Sequence, residues 1–504
     1  MAVPPTFRTT GGTRARQGPH ARLPFLIEAM FSRMSELTFL SAKSMAEQIR
    51  RRQISPVELL DAHLCRIADL NPRLNAFVQI DEARAQLEAQ SLEAAAARGE
   101  FKGPLHGVPV SIKSSLDVAG LRCESGTKLR AGHVAAKDAV LVSRLKAAGA
   151  IVIGVTNTPE LLMAWETDNL LYGRTNNPWD LKRTAGGSSG GEAAAIASGC
   201  SAGGVGSDGG GSIRVPAHFT GICGLKPTPG RIPSTGHFPA SAGPFALLGV
   251  VGPMARTVDD LQMLFEVLAG PDDGDPCSAP VPSKKIGFDD LKQIRIGYFE
   301  DDGRTPVTPE TRAAVRSAAE GLARAGLHVI PFRPECLEQA RDLWWKLFGT
   351  AGGMIVGSLT KGHESELSPI LCEFLDWVAC EPSHTGHTLL HTWLLRDELR
   401  TQFLAQMQVF PILLCPAAAI PAFRHRERVW KVEDKNVNYL DAWSYTEWFN
   451  LLGNPAAVVP VGRSPEGLPI GVQVVGRPWE EELVLAVAAE VERECGGFQK
   501  PPID

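Results

Sequence analysis

The sequence predicts a layered α/β fold, and three observations lead there. Helix start signals stand before long amphipathic stretches, short runs of β-branched residues separate those stretches, and residues 294–331 set a helical stretch between two such runs. Taken in chain order, Ser55-Pro56-Val57-Glu58 supplies an N-cap, a proline at the first helical position and an acid three residues on, so a helix starts there. Residues 81–98 predict a second helix, closed by Gly99. Val108, Val110 and Ile112 alternate with Pro109 and Ser111, which predicts a half-buried strand delivering Lys113 into the interior. Residues 150–154 read as a buried strand, and the alanine-rich stretch 192–199 as helix. Residues 294–298 and 328–331 bracket a helix over 309–325, a βαβ-like unit, and a strand at 471–475 precedes a final helix over 480–494. No internal repeat is visible.

Composition sets the class. With 504 residues, 44% hydrophobic and 21% charged, the chain reads as a large enzyme of one to three domains. A formal net charge of −5 gives no basic balance to point at nucleic acid. Ten cysteines scatter without C-x-x-C spacing, which favours reduced thiols in a cytoplasmic protein and leaves disulfides open. Residues 1–33 carry five arginines, a single acid, Glu28, and an apolar run at 23–27 too short for a secretory core or a membrane span. They read as a disordered extension before a domain over 34–504, with Met34 a candidate natural start.

The chemistry-bearing residues lie in two glycine-rich runs, Gly186-Gly187-Ser188-Ser189-Gly190-Gly191-Glu192 and Gly206-Ser207-Asp208-Gly209-Gly210-Gly211-Ser212-Ile213-Arg214. A serine hydroxyl attacks a carbonyl only when a base takes its proton, and the developing oxyanion needs backbone N–H donors. Gly209, Gly210 and Gly211 directly before Ser212 can supply such donors, together with the amide of Ser212. Lys113 can serve as the base once burial disfavours its charged form. A flexible glycine-serine linker is set aside by the apolar, small-residue surroundings. Gly186-Gly187-Ser188-Ser189-Gly190 also fits the nucleophile elbow G-x-S-x-G, but Pro178 and the absence of alternation over 177–185 argue against the strand an elbow follows. Ser125-Gly126-Thr127-Lys128 satisfies S-x-x-K by chance-level spacing. His384, His387 and His391 have helical spacing, yet Pro382 and Gly386 disfavour a helix there and no acidic or cysteine ligand completes a metal set.

Both runs together with Lys113 resemble the amidase signature family, and matching segments extend from about residue 41 to the end of the chain. The resemblance implies one mixed central sheet covered by helices on both faces. It implies a triad in which Lys113 deprotonates Ser188, held on a cis peptide bond, and Ser188 deprotonates the nucleophile Ser212. Asp208 and Arg214 are then expected to brace the loop as an ion pair, with Ser189 and Ser207 as hydrogen-bonding support. No metal or cofactor is required. Residues 335–450 are the least family-like and hold seven of the ten tryptophans: Trp344, Trp345, Trp377, Trp393, Trp430, Trp443 and Trp448. They are expected to form a variable substrate pocket, each ring weighed against plain helix packing. The function expected is hydrolysis of apolar or aryl amides, with esters and carbamates (urethanes) open to the same chemistry. Two alternatives stand beside it: a glutaminase subunit of a tRNA-dependent amidotransferase, and a catalytically silent binding protein. The partners expected are a small-molecule substrate, with no nucleic acid and no membrane, and a homodimer is left open.

Overall fold

The structure, a computed structural model, describes residues 36–241 and 243–503. The extension expected over 1–33, and Met34, lie outside the described residues. The helix start read at Ser55 is observed: Pro56–Leu74 is a helix whose N-cap Ser55 accepts from the Glu58 amide. Glu82–Ala97 is likewise capped by Asp81.

Fifteen strands follow in the described residues: β1 (Phe77–Ile80), β2 (Pro109–Lys113), β3 (Ile151–Thr156), β4 (Asn176–Asn177), β5 (Asp180–Thr184), β6 (Gly203–Asp208), β7 (Cys223–Lys226), β8 (Val250–Ala255), β9 (Arg295–Tyr298), β10 (His328–Pro331), β11 (Ile412–Pro416), β12 (Val429–Val432), β13 (Lys435–Asn438), β14 (Ala456–Arg463) and β15 (Pro469–Gly476). Eleven of them form one mixed sheet in the order β1-β3-β2-β6-β8-β7-β14-β15-β11-β9-β10. Its middle is antiparallel, while β3-β2-β6 and β11-β9-β10 are parallel. The β9 and β10 pair, joined through the Pro309–Arg324 helix, is the βαβ unit read from the sequence.

Helices flank this sheet. One core packs Ala42–Arg50, Val140–Ala147, Val258–Leu268, Pro309–Arg324 and Glu481–Cys495 against it. A second, aromatic core gathers Trp344, Trp345, Trp443 and Trp448 with Phe219 and Phe423. Among the described residues no helix is long and apolar enough to cross a membrane.

Two local expectations are corrected. The strand before Lys113 is buried at every residue rather than half-buried, because β2 lies between β3 and β6 in the interior of the sheet. A helix does form over Gly386–Gln406 despite Pro382 and Gly386: Thr385 caps it through the Thr388 amide, and Gly386 falls in the first turn, where its flexibility costs least.

Candidate active site

The parallel register of β2 and β6 brings Lys113, the last residue of β2, to the same sheet end as Ser207 and Asp208, the last residues of β6. This is the carboxyl end of adjacent parallel strands, where open α/β sheets hold their sites. Lys113 is fully buried, and its Nζ lies 2.6 Å from Ser188 Oγ and 3.0 Å from Ser207 Oγ. Burial pushes its ammonium down to about 7, against the charges of Asp208 and Glu192, which hold it up.

Ser188 follows a cis Gly187–Ser188 peptide bond, and its carbonyl accepts from Thr158 Oγ1 at 2.8 Å. Ser189 ties the two glycine runs together. The Ser189 amide donates to the Ser212 carbonyl at 3.1 Å, and Ser189 Oγ donates to the Ser207 carbonyl at 3.3 Å. Ser188 and Ser212 line the same cleft.

Asp208 organises the loop that carries Ser212. Its carboxylate accepts from the amides of Gly211 at 2.8 Å and Ile213 at 3.0 Å, and from Arg214 Nε at 3.1 Å and Nη2 at 2.9 Å. Burial by itself would raise this carboxyl, but the Arg214 guanidinium, the Ile213 amide and the Lys226 charge outweigh it and hold it well below the usual carboxylate range. Arg214, also without exposed surface, passes its remaining donors to Gln473 Oε1 at 2.6 Å and Asn450 Oδ1 at 2.5 Å. Asn450 in turn donates to the Asp208 carbonyl at 3.0 Å. Four Arg214 N–H donors and both Asp208 oxygens are therefore bonded, and paired, hydrogen-bonded charges are the ones tolerated in an interior.

The three glycines before Ser212 divide in role, and one departs from expectation. The Gly211 N–H is committed to Asp208, so it does not serve as an oxyanion donor, whereas Gly209, Gly210 and Ser212 line the cleft. The carbonyls of Gly209 and Gly210 accept from the indoles of Trp344 and Trp165, each at 2.8 Å. Side-chain space explains the residue type better than the approach of a substrate does. A Cβ at Gly209 would stand 2.5 Å from the Phe348 ring, and one at Gly210 would run into Trp344.

The cleft holds about 1090 Å³, counting its open mouth. Leu161, Trp165, Trp344, Phe348, Phe374 and Trp377 supply apolar walls, with Glu373 and His237 among the polar residues. Of the seven tryptophans singled out, Trp344 and Trp377 line it. Trp443 and Trp448 are buried packing residues, and Trp345, Trp393 and Trp430 pack in or against the aromatic core.

The competing motifs come apart. A strand, β5, does precede Gly186, because Asn177 Nδ2 and the Thr184 carbonyl pair the ends of a short hairpin that turns at Pro178 and shows no alternation in sequence. That hairpin lies outside the main sheet, and the basic side chain in contact with Ser188 is Lys113. Ser125 Oγ donates to the Phe238 carbonyl and Lys128 is exposed, so S-x-x-K is a coincidence of spacing. No group of three metal-ligating side chains occurs among the described residues, and His384 Nε2 pairs with the Lys346 carbonyl. All ten cysteines are free thiols.

Sequence reading passed over Ser111, Thr156 and Gln473 as contributors. Each is a polar residue within an otherwise apolar, buried strand, which is the signal that could have found them. Trp165 and His237 carry no such local signal.

A sequence model of the family described as Amidase matches residues 58–485. An acylamidase of Rhodococcus erythropolis is 34% identical over 487 residues, covering 93% of this chain and 98% of its own. One component of the glutamyl-tRNA(Gln) amidotransferase of Roseiflexus castenholzii is 33% identical over 492 residues, covering 93% and 98%. Among solved structures, a bacterial aryl acylamidase superposes with a TM-score of 0.80 at 28% identity, covering 90% of this chain and 96% of its own.

Proposed function

The chain belongs to the amidase family of amide hydrolases, and from that premise we propose that it cleaves apolar or aryl carboxylic amides through an acyl-enzyme on Ser212. One observation carries the reading: a fully buried lysine whose Nζ stands 2.6 Å from a serine hydroxyl on the wall of an apolar cleft. With its pKa brought down to about 7, Lys113 can shed its proton near neutral pH and then accept one. It takes the Ser188 hydroxyl proton while Ser188 takes that of Ser212, and Ser212 Oγ bonds to the substrate carbonyl carbon. The amides of Gly209, Gly210 and Ser212 stabilise the oxyanion. The C–N bond then breaks as Ser188 returns the proton to the leaving nitrogen, and water repeats the sequence on the acyl-enzyme.

The tetrahedral intermediate is the same for esters and carbamates, so both belong to the reading. Identity alone does not separate it from a glutaminase component of an amidotransferase, since the amidotransferase relative is as similar as the acylamidase. The cleft favours the stand-alone enzyme, because indole and phenyl walls suit an apolar acyl or aryl group better than the charged backbone of glutamine. The lowered lysine speaks against a silent binding protein. We take residues 34–504 as one catalytic domain acting in the cytoplasm, a placement that the ten free thiols support.

The test is hydrolysis of an aryl anilide, a fatty amide, glutamine, an aryl ester and an aryl carbamate by the wild type and by Ser212→Ala. Turnover of the anilide or fatty amide that Ser212→Ala abolishes is the expected result. Preference for glutamine, or undiminished rates in Ser212→Ala, overturns the reading.

A further inference from the structure

Ser111 and Lys113 are two residues apart on β2, so their side chains leave the same face of the sheet. On that face Thr156 of β3 stands in register with Lys113, and Gly204 of β6 with Ser111. Glu192, in the first turn of the Gly190–Ala197 helix and without exposed surface, covers this patch. Its Oε1 accepts from Ser111 Oγ at 2.5 Å and its Oε2 from Thr156 Oγ1 at 2.7 Å. Each carboxylate oxygen thus has one hydroxyl partner in the interior. The fit is close enough to dictate the neighbouring strand: a Cβ at Gly204 would collide with Glu192 Oε1. Glu192 is absent from the lining of the cleft, so substrate does not reach it.

We propose that Glu192 is a positioning residue for the base, its carboxylate anchored by Ser111 and Thr156 so that it stabilises the ammonium formed when Lys113 takes the Ser188 proton. The proposal rests on the acyl-enzyme reading above. In that step the Ser212 proton moves to Ser188 and the Ser188 proton to Lys113 Nζ, while Glu192 neither gains nor loses one. The groups that face Lys113 are the hydroxyls of Ser188 and Ser207, the carboxylates of Asp208 and Glu192, and His237. Asp208 is neutralised by the Arg214 guanidinium, whereas Glu192 meets only neutral hydroxyls. Asp208 is the larger of the two charges that hold Lys113 up, and Glu192, second to it, is the carboxylate with no guanidinium of its own. Burial pushes the Glu192 carboxyl up to about 7, with the two hydroxyls and Lys113 pulling the other way. Reciprocally, the Glu192 charge holds Lys113 up.

The sign follows. Without the carboxylate, Lys113 loses its proton more readily, so the acid limb of kcat/KM, which falls as Lys113 becomes protonated, moves to lower pH. For Glu192→Gln, which preserves hydrogen-bonding atoms at both positions, the expected result on the best amide of the panel is a limb displaced downward by about one pH unit. A plateau lowered about tenfold, as fits a weaker base, accompanies it. A merely structural role would lower the plateau and leave the limb in place, so an unmoved or raised limb overturns the proposal. Should Glu192→Gln fail to accumulate, Ser111→Ala removes one donor, favours protonation of Glu192 and must move the limb in the same direction. Loss of Ser212-dependent turnover in the wild type sinks the acyl-enzyme reading and this one together. Full serine dependence with an unmoved limb sinks this one alone.

Discussion

The segment from Gly186 to Pro216 and the segment from residue 335 to 450 both line the cleft, yet they are built differently. In the first, every residue is buried except Gly209, and order comes from polar bonds made over short sequence distances, with Asp208 alone bonded to Gly211, Ile213 and Arg214. In the second, order comes from ring contacts and helix packing. Trp344 stacks on Phe348 at 5.1 Å, Trp377 lies 5.6 Å from Tyr439, and a π-helical turn, Trp345–Thr350, interrupts the regular helices. Apolar side chains such as Met354 and Leu390 remain exposed in the second segment. Chemistry fixes residue type atom by atom, whereas a pocket asks only for apolar volume of the right shape.

The sharpest way to test this contrast is Lys113→Ala. Removing a base is expected to lower kcat by about 10²–10⁴ on every member of the substrate panel alike. Because the lysine carries a desolvation cost in the fold, the thermal unfolding midpoint should not fall by more than a few degrees. A variant that loses only one substrate class would place Lys113 with the pocket and not with the chemistry.

That contrast also explains what the sequence made legible. Lys113, Ser188 and Ser212, singled out from two glycine-rich runs and the family those runs resemble, do meet: Lys113 reaches Ser188, which lines the cleft with Ser212. The α/β layering and the cap at Ser55 could be read because local hydrogen bonds decide them. The strand order could not, since it depends on pairings between residues far apart, such as β7 with β14. The same holds for Gln473 and Asn450, which close the Arg214 network from 259 and 236 residues away. Gly211 departs from the donor role expected of it because a run of three glycines looks uniform in sequence, while only the folded loop aims its N–H at Asp208.

Arg214→Ala should break the polar segment by stability and only secondarily by rate. It leaves the buried Asp208 carboxylate without its cation, a loss of about 3–5 kcal/mol for a broken buried pair. Urea unfolding followed by tryptophan fluorescence measures it. A loss under about 1 kcal/mol, the size of an exposed pair, would show that the amides of Gly211 and Ile213 suffice to hold Asp208.

The smallest effect belongs to the aromatic segment. Trp377 lines the cleft with a partly exposed ring that packs against Tyr439 and bonds to none of the glycine runs, unlike Trp344, whose indole reaches the Gly209 carbonyl. Trp377→Ala therefore removes apolar wall without touching the loop that carries Ser212. Discrimination by apolar contact amounts to about 1–3 kcal/mol, so the ratio of kcat/KM for an aryl anilide over a short aliphatic amide should fall by about tenfold or more. The short amide, which does not reach that wall, should keep its rate. Equal losses on both substrates would mean that the aromatic segment shapes the serine loop as well as the pocket, and the division between the two regions would then lie inside the 335–450 segment and not at its border.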